Sequence, residues 1–284
     1  MPPHAHQLPH LLQLLDDTDP EVRKEVFQAL EQFGTNLEHL LTPYLDNLED
    51  EQQALIKRWA AEVRLTRFRQ HWLEWLDEPD DALALEDALS WISYLQAEWA
   101  PEPLGDLLDQ MARQFNEWHG PAQIDRLMHF LFVDQSFLPP AKDYYHPRHS
   151  NLVTVIHRRR GLQISLACIA ILVGRRLGLL ISGFNMPGHF MLMAHHNERI
   201  TLYDVFNQGK PLPDQAHAFL EHSLQTQETT VEALQATSLQ IIPRVLRNFI
   251  NAYERRQEVE QARFFKELLD GLLQELKQRG MIAS

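Results

Sequence analysis

"GLQISLACIAILVGRRLG", residues 161–178, is the stretch on which the fold turns. Gly161 can hinge. After it, Leu162–Leu177 is apolar nearly all round, with Ile164, Leu166, Ala167, Cys168, Ile169, Ala170, Ile171, Leu172 and Val173 leaving no polar face. A helix of that kind is buried on all sides. Arg175 and Arg176 suit the negative end of its dipole, and Gly178 suits a stop. The period then changes. "LLISGFNM" (179–186), "HFMLMAH" (189–195) and "ITLYDVF" (200–206) read as three strands, with a turn at "HNER" (196–199) and an exit through "NQGKPLP" (207–213). Gly183 and Pro187-Gly188 permit close backbone approach. A buried helix followed by an antiparallel sheet predicts an α+β core.

Helical patterns flank this core on both sides. From Leu8 to about Arg69, "DDTDPEVRKEVFQALEQFG" has Asp19 as N-cap, Pro20 at the first helical position and an apolar stripe of Val22, Val26, Ala29, Leu30 and Phe33. The stretch resembles one HEAT-type helical hairpin, and no second copy with that period follows, which argues against a solenoid. Leu83–Glu117 continues in helices, with Trp91, Leu95 and Trp99 at helical spacing as a core stripe and a break at Pro101 and Pro103. A helix from about Pro121 carries Ile124, Leu127, Met128 and Leu131. It leads into "FLPPAKDYYHPRHSN", a loop by its prolines, and then a short helix at Asn151–Ile156. Helix returns from Gln215 onward.

Composition narrows the functions. A hydrophobic fraction of 44% suffices for a core without staples. One cysteine excludes an intramolecular disulfide and any Cys-based zinc site. The N-terminus lacks the basic start and apolar run of a signal peptide, and Ile164–Val173 is about half a membrane span, so a cytoplasmic protein without membrane contact is expected. A net charge of −13 repels nucleic acid, and the triplet Arg158-Arg159-Arg160 is too small a patch to reverse that. The 15 histidines include no HExxH pair; His4, His6 and His10 lie on a tail, His146 and His149 flank a turn, and His195-His196 sits in a hairpin, so no metal site is expected. No phosphate-binding glycine loop appears and no cofactor is expected. Asp16-Asp17 and Glu49-Asp50 read as solvated helix ends.

The order of "LFVDQSF", "DYYHPRHSNL", "RRRGLQISLA", "GRRLGL", "MPGHF" and "YDVFNQG", from about Leu131 to Gly209, resembles the SirB type of transglutaminase-like proteins, relatives of papain-type cysteine proteases. The resemblance extends to the C-terminus, where members often end in a tetratricopeptide-like hairpin. Leu246, Phe249, Ile250 and Tyr253 share a helix face, and Ala262 falls where that repeat wants a small residue. The expected organisation is a HEAT-like segment at 1–75, a transglutaminase-like core with leading helices at 76–235, and the hairpin at 236–284.

The resemblance implies a Cys–His–Asp triad whose Cys sits two residues after the glycine, in the first turn of the buried helix, where the dipole favours a thiolate. His and Asp correspond to His189 and Asp204, while the Cys position is Gln163, whose amide is not a useful nucleophile. Cys168 lies ~7.5 Å and ~140° further along the helix and should point into the core. Ser165 is an alternative nucleophile if the helix starts later; otherwise its hydroxyl bonds back to a backbone carbonyl. Asn207 and Gly209 shape the turn after Asp204. A pocket lined by Gln163, His189 and Asp204 is expected. The reading is a non-catalytic member acting as a binding or regulatory scaffold with a protein or peptide partner. The alternative is a hydrolase or acyltransferase using Ser165, or Cys168, with His189 and Asp204.

Overall fold

The computed structural model describes residues 5–186, 189–196, 199–213 and 235–282. Pro187-Gly188, Asn197-Glu198 of the expected turn, His4 and the helix expected from Gln215 lie outside the described residues. Two units divide the chain: residues 1–72 with 91–102, and residues 73–90 with 103–284.

The first unit is helical: α1 (Leu8–Gln13), α2 (Pro20–Glu31), α3 (Leu37–Leu45) and α4 (Asp50–His71). Asp19 caps α2 by accepting from the Glu21 N–H at 2.9 Å, and Pro20 opens the helix, where its missing N–H costs nothing. Leu12, Leu15, Val26, Leu30, Leu41 and Ile56 close a core of their own. Inside it, Arg64 donates to Glu38 at 2.5 Å and to the Ala97 carbonyl at 2.9 Å, and Glu38 also accepts from the Ala100 N–H. One expectation fails. Trp99 does not continue a stripe with Trp91 and Leu95, because α5 (Asp81–Leu95) ends at Leu95. Ala100 turns the chain at φ +42° before Pro101, and the Trp99 indole donates to Thr42 instead.

The second unit carries the α+β core. It holds α6 (Leu104–His119), α7 (Ile124–His129), α8 (Leu152–Arg158), α9 (Gln163–Arg176), α10 (Ser238–Arg255) and α11 (Val259–Gln278). α7 runs into one π-helical turn, Phe130–Asp134. The sheet has strands β1 (Ile181–Met186), β2 (His189–His196), β3 (Arg199–Asp204), β4 (Lys210–Pro211) and β5 (Gln235–Ala236), in the order β4-β3-β2-β1-β5 with every pairing antiparallel. α9 packs on β1, β2 and α6, and each of its residues from Ile164 to Gly174 is buried, as a helix without a polar face must be. Gly174 lets β1 approach: a Cβ there would lie 2.8 Å from the Ile181 side chain. The opposite face of the sheet has its own cluster of Phe184, Met191, Met193 and Leu202.

Charged groups hold the ends of these elements. The Arg176 guanidinium forks onto Glu86 with two bonds of 2.7 Å and also reaches Asp109, tying the end of α9 to α5 and α6. Asp81 accepts from both the Ser238 N–H and hydroxyl and so caps α10. α10 and α11 form a hairpin, with the rings of Phe249 and Phe265 stacked 4.7 Å apart and Ala262 buried between the helices.

Candidate functional site

Gln163 is the first residue of α9, and what precedes it is pinned by backbone bonds. Gly161 donates to the Leu138 carbonyl and Leu162 to the His149 carbonyl. A Cβ at Gly161 would lie 2.7 Å from Val155, so α8 can lie close only because that position is glycine. His149 is buried. Its Nε2 accepts from Arg148 Nε at 3.3 Å, which leaves Nδ1 as the donor to the Tyr144 carbonyl at 3.2 Å. Burial holds the His149 imidazole below its ordinary pKa, in keeping with that neutral tautomer. The loop at 144–150 is thus fastened to the start of α9.

The Gln163 side chain is divided in its bonding. Its Oε1 accepts from the Phe190 N–H at 3.1 Å, which ties the helix start to β2. Its Nε2 is buried and has no hydrogen-bond partner. Beside it lies a cavity of about 180 Å³, lined by Tyr144, Tyr145, His146, Leu162, Gln163, Ile164, Phe190, Arg244, Asn248, Asn251 and Ala252. Two arginines stand over its aromatic walls, Arg244 at 5.2 Å from the Phe190 ring centre and Arg255 at 3.8 Å from that of Tyr145. Arg244 donates to Asn185 Oδ1. Burial and the neighbouring Arg247 lower its pKa, and the His146 imidazole is lowered by burial and by Arg148 and Arg256.

His189 and Asp204 are not among the lining residues of this cavity. His189 is exposed at the start of β2, opposite Met186. The rungs joining β2 to β3 run from Leu192–Tyr203 to His196–Arg199, so His189 lies beyond them. Asp204 ends β3, where its carboxylate accepts from the Phe206 N–H at 2.9 Å and caps the turn Val205–Asn207. Strand alternation puts both residues on the face of Met191, Met193 and Leu202 rather than that of Phe190 and Leu192. Among the described residues, no hydrogen bond joins His189 to Asp204. Gly209 sits at φ +64° with the Phe132 ring against it, so the turn after Asp204 needs a glycine.

Neither alternative nucleophile reaches the surface. Ser165 is 0% exposed, and its Oγ has no partner, so it does not make the expected bond to a backbone carbonyl either. Cys168 is 0% exposed, and burial pushes its thiol up to about 12. The lining residues to which sequence reasoning gave no place in a pocket are Tyr144, Tyr145 and His146 in the proline-rich loop, and Arg244, Asn248 and Asn251 on the polar side of α10. The clustering of Tyr-Tyr-His between prolines was the available signal for the first three.

Against known proteins, a sequence profile described as the transglutaminase-like superfamily matches residues 99–247, more than half of the 284 residues. The chain belongs to the transglutaminase-like superfamily. The HEAT repeat profile matches residues 8–37 of this transglutaminase-like protein. It is similar to the UPF0162 protein of Xylella fastidiosa strain Temecula1, 29% identical over 226 residues, covering 76% of this chain and 72% of the relative. The UPF0162 protein of strain 9a5c is 34% identical over 136 residues, 47% of this chain and 43% of the relative. F-box only protein 21 of Mus musculus is 30% identical over 97 residues, 31% of this chain and 16% of that protein. No solved structure matches. Among the described residues, no group of three or more His, Cys, Asp or Glu could hold a metal ion, and no helix is long and apolar enough to cross a membrane.

Proposed function

We propose that this chain is a non-catalytic member of the superfamily, of SirB type, that acts by binding. One observation carries the reading. The first position of α9, where a nucleophilic thiol would gain from the helix dipole, holds Gln163, and that amide is engaged with the Phe190 N–H. Gln163, His189 and Asp204 stand at the triad-equivalent positions of the sequence, and among the described residues no thiol or hydroxyl is hydrogen-bonded to His189. The chain's one thiol is sealed in the core.

A superfamily scaffold that has lost its nucleophile keeps its cleft and its helical surfaces. The HEAT-like helices and the α10–α11 hairpin, tetratricopeptide-like in form, suit a protein or peptide partner. A cytoplasmic setting agrees with the single unpaired thiol.

The test is active-site labelling of the intact native chain. Neither iodoacetamide nor a fluorophosphonate should modify it, and His189→Ala should change nothing. Labelling of Cys168 or Ser165 that disappears in His189→Ala would overturn the reading.

A further inference from the structure

The cavity beside Gln163 has a composition that the lost triad does not explain. None of its eleven lining residues is an Asp or Glu. Arg244 is half-buried there, yet among the described residues no carboxylate pairs with it; it holds an amide oxygen, Asn185 Oδ1, and stands over the Phe190 ring. A cation removed from bulk water and left without an anion is costly, and burial accordingly lowers its pKa. Asp143, which adjoins the lining residue Tyr144 in the chain, is already paired with Arg256 at 3.6 Å. Gln163 and Ile164, which line the cavity, open a 14-residue helix whose cap supplies no side-chain acceptor.

We infer that this cavity binds a small oxyanion, a phosphate or carboxylate group borne on a small molecule, with Arg244 as its counter-charge. Its roughly 180 Å³ is about six times the volume a water molecule occupies in the liquid. It therefore admits one such group with a short body and not a folded partner. Tyr144, Tyr145, Asn248 and Asn251 supply further donors around it. The site deepens the binding reading above and rests on it only in treating this cleft as a ligand site. Covalent labelling tests the missing nucleophile and ion titration tests the ligand, so the two can fail separately.

The experiment is calorimetric titration of the full chain with sodium phosphate and with sodium succinate, each against sodium chloride at matched ionic strength. Saturable one-site binding of either anion is expected: phosphate alone identifies a phosphate group, succinate alone a carboxylate, and both together their shared chemistry. Arg244→Gln should raise Kd by about tenfold or more, the loss of one charge-assisted bond. Asn251→Asp places a carboxylate at an exposed position on the cavity rim and should do the same, which keeps the test open if Arg244→Gln does not fold. Circular dichroism in chloride establishes that each variant is native. No saturable heat with either anion, or native affinity in both folded variants, would overturn the inference.

Discussion

Gln163→Glu is the most informative single change, because it alters one atom's identity and almost no volume. The acceptor for the Phe190 N–H is kept, while the buried Nε2 that has no partner is removed. Relief of such an orphan donor is worth about 1–3 kcal/mol. The new charge lies at the first position of α9, where the dipole contributes about 0.3–1 kcal/mol. A cavity of about 180 Å³ corresponds to a sphere about 7 Å across, so charges on its walls stand roughly 7–10 Å apart; at an effective dielectric constant of about 20, attraction to Arg244 is about 2 kcal/mol. Desolvation of the carboxylate opposes these gains by several kcal/mol after relaxation. The gains offset that cost, so the expected outcome is a Tm at or above that of the native chain at pH 7. The sign with pH follows from linkage. Cationic surroundings depress the introduced carboxyl's folded pKa below about 4.3, so the gain is fully present above that value and is lost as pH falls through the lower folded pKa. Differential scanning calorimetry of the two proteins at pH 7 and at pH 3.5–4 measures it. A Tm below that of the native chain at pH 7, recovering on acidification, would show that the cavity disfavours negative charge and would refute the reasoning.

Three further outcomes are expected. Cys168 should resist a disulfide reagent at pH 8 in the native chain and react fully after denaturation, since its thiol is buried and pushed up to about 12; stoichiometric native reaction would contradict the packing of α9. Glu38→Ala should cost about 3–5 kcal/mol because it strands Arg64 inside the first unit, whereas Glu38→Leu with Arg64→Leu should be far milder, and denaturant titration separates the two. Gly183→Ala should lose about 1–3 kcal/mol, since its Cβ would meet the Phe190 ring at 2.5 Å and Ala236 at 3.1 Å; Phe190→Leu should restore much of that, measured as a double-mutant cycle.

Much of the fold was legible because burial writes itself into composition. An apolar run with no polar face can only be an enclosed helix, and Asp19-Pro20 marks a helix start by the stereochemistry of one residue pair. The long strands were legible by their alternation and β-branched or aromatic content. β4 and β5, two residues each, were not, because their pairing rests on backbone bonds to distant strands and leaves no periodicity. Trp99 misled for a related reason: spacing at i, i+4 and i+8 does not reveal that the backbone has turned at Ala100.

By itself, the sequence determined that the enclosed helix opens near Gln163 and that the one sulfur is buried within it, because helical spacing and hydrophobicity act along a single element. Tertiary structure alone decided what Gln163 faces. A cavity is made by elements far apart in the chain, here a loop near residue 145, the start of α9, one strand residue and the polar side of α10. Whether Arg244 meets an acid or an amide depends on through-space distances that no spacing along the chain encodes. Likewise strand pleat, not residue type, put His189 and Asp204 on one face of the sheet and turned Phe190 to the other.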